Sequence, residues 1–297
     1  MVKNKSIGSR LFMVFNVLFL TLVAFVCVAP MLHTIFASIS DPVLLRSSTG
    51  IILWPLGTPN LKGYELIFKN QTIWLGYKNT IFYVVVGTAI STFLTCMGGF
   101  ALSRPNLYWK NHIMLLISFT MLFSGGLIPT YTVVKMLGLA ETRWVMIIPS
   151  AISVFNLIIM RTSMQSIPPS LEESAKMDGA GHFTVLTRII IPVSRATIAV
   201  IALFYALNIW NSWFPASIYL TKRKDLLPLQ AILREILIMN DTTSVMDTSE
   251  LSANASGLYK NLVQYATTVV ATLPILCIYP FVQKYFVTGV MIGSIKG

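Results

Sequence analysis

Charge is what this chain has least of. Lys and Arg number 22 and Asp and Glu 11 among 297 residues, so charged side chains make up 11%, less than half of the roughly 25% usual in soluble domains. With 55% hydrophobic residues and a mean hydropathy of +0.72, the sequence cannot clothe a water-facing surface of ordinary polarity. That excludes a soluble enzyme, a disordered chain and a coiled coil, and makes lipid the solvent for most of the protein. Cysteine is scarce too. Cys27, Cys96 and Cys277 all lie in apolar stretches, where a thiol serves as a small hydrophobe, so neither a disulfide framework nor a metal set follows. The three histidines, His33, His112 and His182, are far apart in sequence. Also missing are a Gly-rich phosphate cradle ending in Gly-Lys-Ser/Thr, a zinc-binding His-Glu-x-x-His and a Gly-x-Ser-x-Gly nucleophile turn. A chain without them catalyses no chemistry of its own, and any directional work must draw on energy from another chain.

The missing charges have a pattern. No Lys, Arg, Asp or Glu occurs in 11–32, 79–103, 111–134, 144–160, 196–221 or 261–283, runs of 22, 25, 24, 17, 26 and 23 residues. About 20 apolar residues span a bilayer core, with about 17–25 tolerated. Six transmembrane spans are expected, and because lipid satisfies no backbone group, each should be a helix. The first run follows a basic start but is too long for a secretory signal and lacks small residues before Cys27, so it reads as a retained helix. Lys and Arg divide evenly between the two sides. Lys3, Lys5 and Arg10, facing only Arg46 beyond the first span, favour a cytoplasmic amino terminus, and six spans then return the carboxyl terminus to the cytoplasm. The net charge of +11 suits anionic lipid headgroups rather than nucleic acid, since the basic residues form no stripe.

Acidic residues are absent from all six runs, which disfavours a proton- or sodium-driven carrier. Polar residues do occur there. Gly87, Ser91, Thr95 and Gly99 recur every four positions, a ridge of small side chains suited to close helix packing. Asn208 and Asn211 lie beside Trp210 and Trp213 and before Pro215. This group reads equally as interhelical hydrogen bonding near an interface or as a polar, aromatic path for a hydroxylated solute. Pro274 and Pro280 would kink the last span.

The most informative segment lies between the fourth and fifth runs. In the cytoplasmic stretch 161–195, Pro168 and Pro169 precede Ser170 and Glu173, which read as a capping box opening a short helix. Gly179 and Gly181 end it and turn the chain, and Asp178 caps a second short helix, lined by Phe183, Leu186 and Ile190 and stopped by Pro192. Such a helix pair is a poor DNA reader, because Glu172, Glu173 and Asp178 would meet phosphate and the membrane tethers both ends. A docking knob for a soluble partner beneath the membrane fits better.

The run Leu171-Glu172-Glu173-Ser174-Ala175, with Asp178-Gly179-Ala180, Phe183, Ile189 and Ile191-Pro192, closely resembles the EAA loop in permease subunits of type I, MetI-like ABC importers. Ser174 stands where that family usually has Ala, and Ile191 where Leu is usual. Further landmarks resemble the carbohydrate-uptake, maltose-type branch: Lys78-Asn79-Thr80, 99–104, Leu137-Gly138-Leu139 with Thr142, Trp210-Asn211, and the closing 289–297. The resemblance runs from about residue 70 to the end. It implies an all-α polytopic membrane protein with six transmembrane helices, a MetI-like permease fold and a cytoplasmic EAA coupling helix pair. It also implies a second homologous permease, two ATP-binding cassette subunits that carry ATP and Mg, an extracytoplasmic solute-binding protein and a carbohydrate substrate, all at a bacterial cytoplasmic membrane. This chain itself would hold no cofactor.

Carried over by residue, Glu172, Glu173, Ala175, Asp178, Gly179, Phe183 and Pro192 would form the ATPase-coupling shelf. Glu173 would cap and meet a basic group, Gly179 would bend and Phe183 would pack. Asn208, Trp210, Asn211 and Trp213 are the candidate substrate path. The extracytoplasmic loop 222–260 is a candidate for reaching into the binding protein, with 226–239 periodic enough to be helical. Two alternatives stay open: an importer permease for a non-sugar solute such as a peptide or phosphonate, and a membrane scaffold without transport.

Overall fold

The computed structural model describes residues 7–237 and 253–294, without the side chains of 253–257, 278–279 and 281–294. Every regular element among the described residues is helical. In chain order these are α1 (Ile7–Ser38), α2 (Pro42–Ser47), α3 (Lys62–Lys69), α4 (Gln71–Ser103), α5 (Lys110–Leu122), α6 (Leu127–Met136), α7 (Val154–Gln165) and α8 (Pro169–Met177). They continue with α9 (His182–Val185), α10 (Ile191–Val193), α11 (Arg195–Trp210), α12 (Phe214–Tyr219), α13 (Leu229–Leu237) and α14 (Ala253–Ser294), with short 3-10 turns at Arg143–Met146 and Lys224–Leu226. A π-helical turn, Leu186–Ile190, joins α9 to α10.

Among the described residues, two helices, α1 and α4, are long and apolar enough to cross a membrane, and two bent pairs bring the number to four if each pair is one span. The uncharged runs were expected to be single helices, and three are not. In 111–134 the chain bends by 113° between α5 and α6, because Gly125 and Gly126 carry no side chain and Gly126 takes a φ of +83° that L residues avoid. Within 144–160 the 3-10 turn gives way before Pro149, and helix resumes only where Ser153 accepts the Asn156 backbone N–H as the cap of α7. Run 196–221 ends its first helix at Trp210. There Asn211 Nδ2 bonds the Leu207 carbonyl and Ser212 Oγ that of Ile209, satisfying the last carbonyls before Pro215 opens α12. Pro274 and Pro280 lie within the 42-residue α14.

The chain divides into two compact units, one of residues 1–73 and 235–273 and another of 74–234 and 274–297. In the first, Ala37, Leu45, Ile52 and Leu262 form a small core with Phe36, Leu56, Tyr259 and Tyr265 packed on it. His33 accepts the Ile52 backbone N–H at 2.9 Å, and Asp41 caps α2. In the second, Cys96 and Phe100 of α4, Met160 and Met164 of α7, Val185, Leu186 and Ile190, and Ile201 and Tyr205 of α11 make the core. The ridge of small residues serves as the packing face expected of it. A Cβ on Gly87 would lie 2.7 Å from Ile209 Cδ1 and one on Gly99 2.6 Å from Met160 Cγ, while Ser91 and Thr95 are buried. Small side chains let α7 and α11 approach α4 this closely.

Candidate functional site

The hairpin at 170–192 is built as two helices and a turn, with changes in who does what. Helix α8 begins at Pro169 with Pro168 as its cap and no side-chain cap bond, so the expected Ser170/Glu173 capping box does not form. A proline at the first helical position needs no N–H partner and presets φ, which makes the box unnecessary. Asp178 is the C-cap of α8, and Gly181, not Asp178, is the N-cap of α9. The turn is a Schellman motif: Ala180 N–H donates to the Ala175 carbonyl at 2.9 Å and Gly179 N–H to Lys176 at 3.0 Å. Gly179 has a φ of +79°, the left-handed value that motif requires. Ala175 and Ala180 both rest on the core of the second unit, the apolar contact that accompanies such a turn. Pro192 lies inside α10, exposed, and the chain turns just after it at Ser194.

The hairpin presents its other residues outward. Glu173, Asp178 and Gly179 are exposed, Phe183 is 66% and Met177 89% exposed. Phe183 therefore does not pack within the chain as expected; Val185, Leu186 and Ile190 do. Glu172 faces the other way, 8% exposed, paired with Arg104 beyond the end of α4 and with Lys176 one turn along α8 at 2.9 Å. Burial alone would raise its carboxyl, but hydrogen bonds from Lys176 and Arg104 outweigh that and hold it below the ordinary carboxylate value.

The candidate path splits into two faces of α11. Asn208 and Asn211, three residues apart, are exposed, while Trp210 is 7% exposed and its indole N–H has no partner among the described residues. Trp210 therefore belongs to the packed side. Trp213 follows the asparagines and lies 4.3 Å beneath the Arg234 guanidinium, a cation–π contact. Two adjoining recesses of about 430 and 420 Å3 meet at Phe204 and Asn208. One runs along the broken fourth run, past Ser150, Ser153 and the buried Asn156; the other leads past Asn211, Ser212 and Trp213. A few hydroxyls and amides sit among aromatic and aliphatic side chains there, and the breaks that put polar groups in these places are the kind that line cavities in membrane proteins.

No family model matches the chain. Among curated relatives, the polygalacturonan/rhamnogalacturonan transport system permease protein YtcP of Bacillus subtilis (strain 168) is 41% identical over 292 residues, covering 97% of this chain and 99% of that one. This chain belongs to the permease family of sugar ABC transporters. The protein LplC of the same organism is also 41% identical, over 98% of the chain and 96% of its own length. A solved bacterial ABC transporter involved in import of the acidic polysaccharide alginate superposes with a TM-score of 0.85 at 29% identity, covering 95% of this chain and 98% of that one. The shared architecture is that of an ABC importer permease.

Sequence reasoning missed two clasps in this permease. Asn79, Thr80 and Tyr83 hold the segment before α13: Asn79 Nδ2 donates to the Asp225 and Leu227 carbonyls at 2.8 and 3.1 Å. Tyr83 donates to Leu226, and Thr80 Oγ1 accepts the Leu229 N–H. Lys78-Asn79-Thr80 was a landmark of the resemblance, but its task is visible only in space. Glu141, with a φ of +59°, accepts Thr221 Oγ1 and the Lys222 and Arg223 N–H groups. Burial would raise its carboxyl, and these bonds, with the Lys222 charge, lower it on balance. Helix α13 fulfils the helical part of the 226–239 expectation as far as Leu237, and 238–252 lie outside the described residues.

Proposed function

We propose that this permease forms one half of the pore of an ATP-driven importer that passes an oligosaccharide delivered by an extracytoplasmic binding protein. A second, homologous permease supplies the other half, and two ATPase subunits, which alone use ATP and Mg, dock beneath. In this reading the chain is a single transmembrane domain of six spans at about 11–32, 79–103, 111–134, 144–160, 196–221 and 261–283, the broken ones lining the pore. Both termini are cytoplasmic, 161–195 is the coupling loop and 222–260 faces the binding protein. The membrane is the bacterial cytoplasmic membrane.

The observation that carries the reading is the division of labour in the 170–192 hairpin. Ala175, Ala180, Leu186 and Ile190 bind it to the helices, while Glu173, Met177, Asp178 and Phe183 are spread outward. An acidic and apolar knob held rigidly from behind suits a partner's socket. YtcP is named for polygalacturonan and rhamnogalacturonan, and the solved neighbour imports alginate. Here the recesses carry neutral amides and hydroxyls among aromatic and aliphatic side chains, with no charged residue in their lining, which suits sugar hydroxyls and ring faces better than carboxylates.

The test is the reconstituted assembly in liposomes. Glu173→Arg is expected to insert normally yet lose uptake, and oligosaccharides, neutral or acidic, should stimulate ATP hydrolysis only through the binding protein. Unimpaired uptake by Glu173→Arg would remove the docking role. Stimulation by peptides or phosphonates, but by no sugar, would remove the substrate class.

A further inference from the structure

The cytoplasmic end of α4 collects cations. Arg161 Nε donates to the Leu102 carbonyl at 3.2 Å, and Lys110 Nζ to the Ser103 and Arg104 carbonyls at 3.4 and 3.2 Å. The Leu102 and Ser103 carbonyls are the last of a 33-residue helix, and that of Arg104 follows directly; this is the end at which partial negative charge gathers and cations are favoured. Arg104 is placed differently. Its guanidinium lies 4.8 Å over the Phe100 ring and donates to Ser103 Oγ, to the Met164 carbonyl near the end of α7 at 3.2 Å, and to the Glu172 carboxylate. One side chain thereby ties three elements: the long span it follows, the broken span α7 and the docking helix α8. Both partners of the ion pair are mostly covered, at 17% and 11% side-chain exposure, so water screens the pair weakly.

We propose that Arg104 and Glu172 are positioning residues for transport, a strut that transmits displacement of the docking helix to α4 and α7. Glu172 is thus withdrawn from the partner's surface, and Glu173 alone of the two carboxylates meets it. Apolar contacts also join α8 to the bundle, but such contacts slide. The planar guanidinium, whose separate N–H groups are held at once by Ser103, Met164 and Glu172, fixes direction as well as distance. The inference rests on the docking role proposed above for this hairpin, and its test separates the two.

In proteoliposomes with the ATPase subunits and binding protein, two quantities are read: the fold stimulation of ATP hydrolysis by sugar-loaded binding protein, and sugar imported per ATP. Glu172→Gln, which keeps shape and removes the charge, and Arg104→Gln, which removes the charge and shortens the side chain, are each expected to leave the ATPase subunits co-purifying but to lower sugar imported per ATP at least fivefold. Arg104→Lys, which keeps the cation at this helix end, should recover part of the loss. Normal coupling in both Gln variants overturns the strut, as does a loss in Arg104→Gln that Arg104→Lys does not recover at all. Loss of co-purification in Glu172→Gln would show this carboxylate to be a docking contact instead. Glu173→Arg is measured alongside: if it abolishes co-purification while the Gln variants couple normally, the docking role stands and only the strut falls.

Discussion

Tyr205 carries the bond that holds the broken fourth run against the bundle, and Tyr205→Phe isolates it. The phenol oxygen pairs with Thr95 Oγ1 at 2.7 Å and accepts the Ser153 backbone N–H at 2.9 Å. It thus links α4, the cap of α7 and α11. Tyr205 is 4% exposed, and phenylalanine fills the same space without a cavity, so the loss is purely polar. An interhelical hydrogen bond in a bilayer is worth about 0.6 kcal/mol on average. The Ser153 N–H is part-buried, and leaving it unpaired costs about 1–2 kcal/mol more, the lower part of the range for a buried group. Tyr205→Phe should therefore destabilise the permease by about 1.5–2.5 kcal/mol in a denaturation titration in detergent. Thr95→Val, which leaves the Ser153 bond intact, should cost under about 1 kcal/mol. Equal effects of the two variants would mean that the Ser153 N–H is satisfied elsewhere, and the reasoning about the break would be wrong.

The two glycines of the α4 ridge should differ. A Cβ at Gly99 meets Met160 Cβ at 3.0 Å and the Arg161 backbone nitrogen at 3.3 Å, whereas one at Gly87 meets mainly the tip of Ile209. Gly99→Ala is thus expected to cost about 1–3 kcal/mol and Gly87→Ala less, by the same titration. Gly179 has open space around its Cα, so Gly179→Val acts only through its positive φ. It should lower uptake strongly while leaving thermal stability of the membrane core within a few degrees, and Gly179→Asn, which tolerates that conformation, should retain more uptake. The Glu172 carboxyl is held below its ordinary value of 4.5, so its pairing contributes in full above that pH and is lost as pH falls through the depressed value. Coupling measured between pH 8 and 5.5 should accordingly show no step from this group; a step that disappears in Glu172→Gln would contradict the pairing.

What was legible in the sequence depended on local spacing. The ridge of Gly87, Ser91, Thr95 and Gly99 could be read because a four-residue repeat is one helix face. The left-handed turn at Gly179 followed from glycine after a short helix, and the permease family from the order of residues around it. The breaks were harder. Absence of charge marks what lipid tolerates and says nothing of where the backbone departs from a helix, so Gly125-Gly126 and Pro149 leave no mark within an uncharged run. Trp210 and Trp213 were grouped by proximity, yet three residues of helix and its end place one inward and the other beneath Arg234. The Arg104–Glu172 pair joins positions 68 apart, and no periodicity connects them. For the same reason Glu172 and Glu173, neighbours in one motif, looked equivalent until their faces were known.

The central claim is that the hairpin after α7 is gripped by an ATPase subunit. A photo-crosslinking amino acid at position 183, in the complete assembly in native membrane, tests it directly. The account predicts a single adduct with the mass of permease plus ATPase subunit, its yield changing when ATP is trapped in the closed state. Adducts with lipid or with the solute-binding protein, and none with the ATPase, would contradict it.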